Sequence, residues 1–159
     1  MREMRRKDRA RDVAFCLDLI DKATNGVMAI STGDDTPYCL PLSFVRAAQS
    51  LYFHCAKEGR KIDLLRANPK VCVTFIGYDT PTYQAEVNNF TTLFASAIVT
   101  GTAHEVTEDD EKIEALRLLC RKLLPQAMAG DNFHRAIQTS LPNTAVWRID
   151  LEDISGKAR

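Results

Sequence analysis

The chain has no excess of charge of either sign: its 159 residues carry 21 Lys and Arg against 21 Asp and Glu. A zero balance argues against nucleic acid as the main partner. It also has no apolar run of membrane-spanning length, so no membrane association is expected. Five cysteines, Cys16, Cys39, Cys55, Cys72 and Cys120, form no CxxC pair, and their number is odd. That argues against a disulfide framework and leaves no ligand pair with zinc spacing. Four of them lie inside apolar patterns and read as reduced, small, buried side chains of a cytosolic protein. Internal repeats, low-complexity segments and linkers are absent. The first eleven residues, MREMRRKDRAR, hold six basic residues with no apolar stretch of the secretory type behind them. A signal peptide is therefore not expected. The arm is either solvated or ordered against a neighbour or an anionic ligand.

What is present reads as one domain over residues 1–159, large enough to bury a core without staples. Arg11 to Ala23 has apolar residues at helical spacing, with Asp12 as a candidate N-cap. Gly26–Ser31, Tyr38–Val45 and Leu51–Cys55 read as strands joined by turns, a meander-like antiparallel organisation. Pro41 inside the second strand marks an edge or a bulge. A short helix over 60–67 stops at Asn68-Pro69, and Val71–Ile76 is the next strand. Gly77–Asn89 shows no period and reads as a functional or mobile loop. Phe90–Val106 is β-rich, with a bend or bulge at Gly101. Thr107 opens a helix in a capping-box pattern that Pro125 closes. Asp131 caps a short helix over 132–139, Thr144–Leu151 is a last strand, and Ser155–Arg159 is a short basic tail. The fold class is mainly β: a barrel of about six strands with peripheral helices. Dimerisation is a natural way to cover a sheet face that such a barrel leaves exposed.

The chemistry is concentrated between the strand Leu51–Cys55 and the helix after it, in Ala56-Lys57-Glu58-Gly59-Arg60-Lys61. Three cations, Lys57, Arg60 and Lys61, fall within five residues at a helix start. The helix dipole already puts positive potential there. Free N–H groups, the dipole and a guanidinium suit a phosphate, and Gly59 lets backbone approach it. Pattern alone leaves two readings, a solvated basic turn and an anion site, and slightly favours the turn.

Several stretches taken in order change that balance. They are MRRKDR at Met4–Arg9, PYCLPLSFV at Pro37–Val45, YFHCAKEGRKIDLLRANPKVCVTF at Tyr52–Phe75, FTT at Phe90–Thr92, SAIVTG at Ser96–Gly101 and ISGKAR at Ile154–Arg159. Together they resemble the pyridoxamine 5′-phosphate oxidase-like FMN-binding split barrels, and within them the nitroimidazole-resistance (nitroimidazole reductase) branch. The resemblance implies FMN at a homodimer interface, with the Arg60-Lys61 pair on its phosphate. It implies that His54, Cys55, Ala56 and Lys57 line the phosphate and ribityl chain, that Pro41, Leu42 and Ser43 run along the flavin ring, and that Ser96 reaches the cofactor from a later strand. The branch usually has Gly-His-Lys where this chain has Gly59-Arg60-Lys61, which brings the site closer to the oxidase phosphate grip. No convincing pyridoxal-phosphate set is seen.

The resulting expectation is an FMN-dependent oxidoreductase acting on a small-molecule acceptor such as a nitroimidazole, with no named catalytic side chain. The alternative is a non-catalytic flavin- or haem-binding sensor, with His54 or His134 as the haem ligand. A deazaflavin site is a third option. His104 and His134 otherwise read as structural or exposed, Trp147 as core or dimer packing, and Phe90 and Phe94 as ring border or core.

Overall fold

The computed structural model describes residues 4–34 and 36–159. The first three residues of the basic arm, and Asp35 in the turn before the second predicted strand, lie outside the described residues. The elements in chain order are β1 (Ala10–Arg11), α1 (Val13–Lys22), β2 (Gly26–Ile30), β3 (Tyr38–Leu42), β4 (Val45–Ala47), β5 (Ser50–Cys55), α2 (Arg60–Ala67), β6 (Lys70–Gln84), β7 (Asn89–Glu105), α3 (Asp109–Leu123), α4 (Asn132–Ser140) and β8 (Ala145–Ala158). Among the described residues no helix is long and apolar enough to cross a membrane.

One antiparallel sheet runs in the order β3-β2-β6-β7-β8-β5-β4, with β1 paired to β8. Its two outermost strands, β3 and β4, are consecutive in the chain and joined by Ser43-Phe44. A single bent strand thus pairs with β2 at one end and β5 at the other, and the barrel closes through it. Counting β3 and β4 as one, and setting aside the two-residue β1, six strands remain, as expected. The meander is corrected: β2 pairs with β6 and β5 with β8, both across long stretches of chain.

Alternation along the strands fills the barrel. Phe44, Phe53 and Phe75 are wholly buried, and Phe44 makes edge-on contacts with the other two at 5.6 Å between ring centroids. Such pairs add to simple area burial because ring edge meets ring face. Two helices press onto the same core, α1 with Cys16, Leu19 and Ile20, and α2 with Ile62 and Leu65. The Asp12 carboxylate caps α1 by accepting from the Phe15 N–H at 2.8 Å. Trp147 is buried in the core. The cysteine reading holds only for Cys16, because Cys39 is exposed and the other three are half-buried; all five are free thiols.

Three local expectations are corrected. Residues 77–84 are not a loop but the outer half of β6, paired to β7 as an extended hairpin arm beyond a bulge at Ile76/Tyr78. Both faces of this arm are exposed from Ile76 to Pro81, so no inside-outside period is written there. The last strand does not stop at Leu151: β8 continues through the basic tail to Ala158, with Gly156 opposite Ala97 of β7 and Arg11 of β1. At the start of α3 the N-cap is Glu108, and no side chain caps the helix; Thr107 donates to the Glu108 carboxylate instead. Gly101 does mark a register shift between β7 and β8. Any Cβ there would run into the Asp150 carbonyl oxygen.

Candidate functional site

The α2 helix begins at Gly59, whose φ of 117° and ψ of 167° are accessible to glycine and strained for other residues. Its carbonyl accepts from the N–H groups of Ile62 and Asp63, at 2.8 and 3.2 Å. The N–H groups of Arg60 and Lys61, which come earlier, have no acceptor inside the helix. No side chain caps this end. The sequence dictates this, because a glycine at the N-cap leaves the first turn open to an outside acceptor.

Both cations of the pair are held over aromatic rings rather than against carboxylates. The Arg60 guanidinium lies 4.9 Å from the centre of the Tyr38 ring at the start of β3. The Lys61 ammonium lies 5.7 Å from the Phe53 ring, near the Cys55 thiol. Burial raises the Cys55 pKa, and Lys61 pulls it back in part. Lys57 is exposed in the turn beside Ala56. Among the described residues none of Lys57, Arg60 and Lys61 forms an ion pair. Three cations without a direct ion pair, of which Arg60 acts at longer range on Asp34, stand at the positive end of a helix dipole with two free N–H groups, a donor set for a dianionic phosphate.

The structure therefore brings Cys55, Ala56, Lys57, Arg60 and Lys61 to one corner. Pro41 and Leu42 are on β3, whose first residue is the Tyr38 under Arg60, and Ser43 is at the bend into β4. Pro41 faces outward opposite Val27 on an edge strand, a position where its missing N–H costs no ladder bond. His54 is different. Leu51 and Phe53 of β5 point into the barrel, so His54 points outward, on the side of α3 and α4, and its side chain is exposed. It lines a cavity there with Leu116, Leu119 and Phe133. Burial, and secondarily the Lys61 charge, lower its pKa below the ordinary 6.5.

Ser96 is also apart. It lies on the outer face of β7, opposite Ile76 and Lys157. Three strand steps separate β7 from β3 in the sheet, roughly 14 Å at the usual spacing. Within one chain, Ser96 and the Tyr38–Arg60 corner belong to separate places.

Sequence reading missed Tyr38 and Phe53 as platforms for the cations. Their alternation on β3 and β5 was a usable signal, since both stand on the more buried face of their strands. It also missed a second basic group beside Ser96. There the Arg9 guanidinium lies 5.9 Å and the Lys157 ammonium 5.6 Å from the Phe94 ring. His104 pairs with Asp150 at 3.4 Å, and His134 is bonded to Gln138 at 2.9 Å; both are exposed.

Comparison with known proteins adds a lineage to this geometry. The family profile described as pyridoxamine 5′-phosphate oxidase matches residues 12–158. No curated protein matches the chain. A solved structure of a proposed 5-nitroimidazole antibiotic resistance protein from Bacteroides thetaiotaomicron is 24% identical. It covers 92% of this chain and 84% of its own, with a TM-score of 0.78. A flavocytochrome from Azotobacter vinelandii is 23% identical over 99% of this chain and 72% of its own, with a TM-score of 0.79. An FAD-binding protein from Mesorhizobium loti is 21% identical over 95% and 97%, with a TM-score of 0.67. At these identities the likeness establishes the fold.

Proposed function

The chain belongs to the pyridoxamine 5′-phosphate oxidase family, and from that premise we propose that it binds a flavin, FMN in the first instance, with the phosphate at the start of α2. The observation that carries this reading is the uncapped helix start with its three unpaired cations. A phosphate would supply the missing acceptor for two N–H groups and the missing counter-charge for Lys57, Arg60 and Lys61. Solved relatives described as FAD-binding and as a flavocytochrome support a flavin over other phosphate esters.

The rest of the site is made by a second copy. Ser96, with Arg9 and Lys157 beside it, stands three strands along the sheet from the β3 that carries Tyr38 under Arg60. The outer row Pro41, Val27, Thr74 and Ile98, matched strand to strand, is small and apolar or neutral and lacks a cover. A two-fold dimer covers that row and carries Ser96 of one chain to the α2 corner of the other.

The bound flavin would supply electron chemistry toward a small acceptor, and the protein's own part is to grip the phosphate, orient the ring and exclude water. A nitroimidazole is the acceptor to test first, on the strength of the Bacteroides relative. The primary experiment is an absorbance spectrum of the purified protein, followed by release of its chromophore on denaturation. A yellow protein yielding FMN supports the reading, and a colourless protein that fails to take up added FMN overturns it. Loss of nitroimidazole absorbance driven by a reductant then separates a reductase from a flavin carrier.

A further inference from the structure

The cavity under α4 is not part of the phosphate corner, and it has the character of a ligand site. It holds about 270 Å³ between the outer face of β5 and the helices α3 and α4. Protein interiors are packed like organic crystals, with few voids larger than a water molecule. An apolar cavity of about 150 Å³ is already enough to take benzene. The space here is a pocket open to solvent, with His54, Leu124, Ala136 and Ser140 of its lining exposed, and it is wide enough for a substituted ring.

The walls fix the chemistry. Leu116, Leu119 and Leu123 present one stripe of α3, and Phe133 and Ile137 present the apolar face of α4. No residue of α4 is fully buried, so its apolar face rests on the site without sealing it. No Lys, Arg, Asp or Glu lines the space. Two hydroxyls do, but both are engaged: Ser140 Oγ donates to the Ala136 carbonyl at 2.8 Å, and Thr144 Oγ1 to the Ser140 carbonyl at 2.8 Å. The Cys120 thiol is kept protonated by burial. That leaves the His54 imidazole, which has no hydrogen-bond or ion-pair partner among the described residues. An apolar pocket with an unpaired, exposed imidazole at its mouth, and with the Lys61 ammonium outside its lining as the cation that acts on that ring, rewards one neutral hydrogen-bonding group on an aromatic ring.

We propose that the chamber between β5, α3 and α4 binds a small neutral aromatic molecule, with one polar substituent hydrogen-bonded to the ring of His54. The site is separate from the flavin reading and stands or falls without it, because flavin content is read independently in the same samples.

Phenol and toluene are the probes, titrated into the full chain as purified and followed by the side-chain NMR resonances of His54 and by the melting temperature. Phenol is expected to bind saturably, shift the His54 resonances and raise the melting temperature, and toluene to bind about tenfold more weakly. Filling the chamber by Ala136→Phe should abolish binding of both; Ser140→Leu fills it from the other side should the first variant fail to fold. His54→Leu should remove the preference for phenol while toluene still binds. The proposal is overturned by the absence of saturable phenol binding, by equal affinity for the two probes, or by phenol binding that survives a folded filling variant.

Discussion

The Lys122 ammonium of α3 donates to the Phe44 carbonyl oxygen at 2.9 Å, and to the Ile20 carbonyl oxygen at 3.0 Å. Phe44 sits at the bend where the edge strand crosses from β3 to β4, and Ile20 is near the end of α1. One side chain thus ties the barrel's closure point to two helices. Burial lowers the Lys122 pKa from its ordinary 10.5, with the Asp21 charge acting against that. Replacing it by methionine keeps the stem's packing and strips two carbonyls of their donor. Lys122→Met is expected to cost about 1–3 kcal/mol. In urea denaturation the midpoint should fall with an unchanged slope. An unaltered midpoint would remove Lys122 from the account of how the barrel closes.

At the α2 corner, Arg60→Ala and Lys61→Ala should each weaken FMN binding by about 1–3 kcal/mol, the scale of a charged hydrogen bond. Lys57→Ala should weaken it less, because its side chain stands in an exposed turn and its charge is screened. Fluorescence quenching of free FMN measures all three. If both Arg60 and Lys61 variants bind as tightly as the parent, the phosphate is not held there.

Most of this corner was legible because its signals are local. A glycine among three cations, an apolar helix stripe at Ile62 and Leu65, and a proline stop are all read between Lys57 and Pro69. The barrel was legible as well, since β2, β5 and the inner half of β6 alternate between core and surface. Two kinds of information were not written locally. The closure through Ser43-Phe44 depends on β2 meeting β6 and β5 meeting β8, pairings set by the whole core. The arm from Ile76 to Gln84 has no buried face over most of its length, so burial imposes no pattern on it. The side-chain direction of His54 follows from the same point: the residue type invites a cofactor contact, but only the phase of β5, with Phe53 inward, turns His54 toward α3 and α4.

That placement gives His54 a pH signature. Its pKa is lowered by burial first and by Lys61 second. The unfolded ring therefore takes up its proton at a higher pH than the folded one. Stability should be greatest above the ordinary value of 6.5, decline as pH falls through it, and level off below the folded value. His54→Gln removes this component. Urea midpoints at about pH 7.5 and about pH 5.5, chosen to bracket the histidine range, should lie closer together in the variant than in the parent. An equal spacing in both proteins would mean the ring titrates as it does in water.

The dimer reading is tested most directly at Ile98. This residue lies on the outer face of β7, exposed, in register with Thr74 on one side and Ser155 on the other. It is not among the residues that build the core, so a charge placed there should leave the isolated barrel folded. In a covered sheet face the same charge would be buried without a partner, which is costly. Ile98→Asp is therefore expected to turn a dimer into a monomer by light scattering, with an unchanged far-ultraviolet circular dichroism spectrum. Flavin should be lost with the dimer, because the Ser96 half of the site then has no Arg60 corner opposite it. The order of loss distinguishes the alternatives. A monomeric variant that retains tight FMN binding places the whole cofactor site within one chain. A variant that stays dimeric moves the interface elsewhere, with the exposed arm carrying Tyr83 and Phe90 as the next surface to charge.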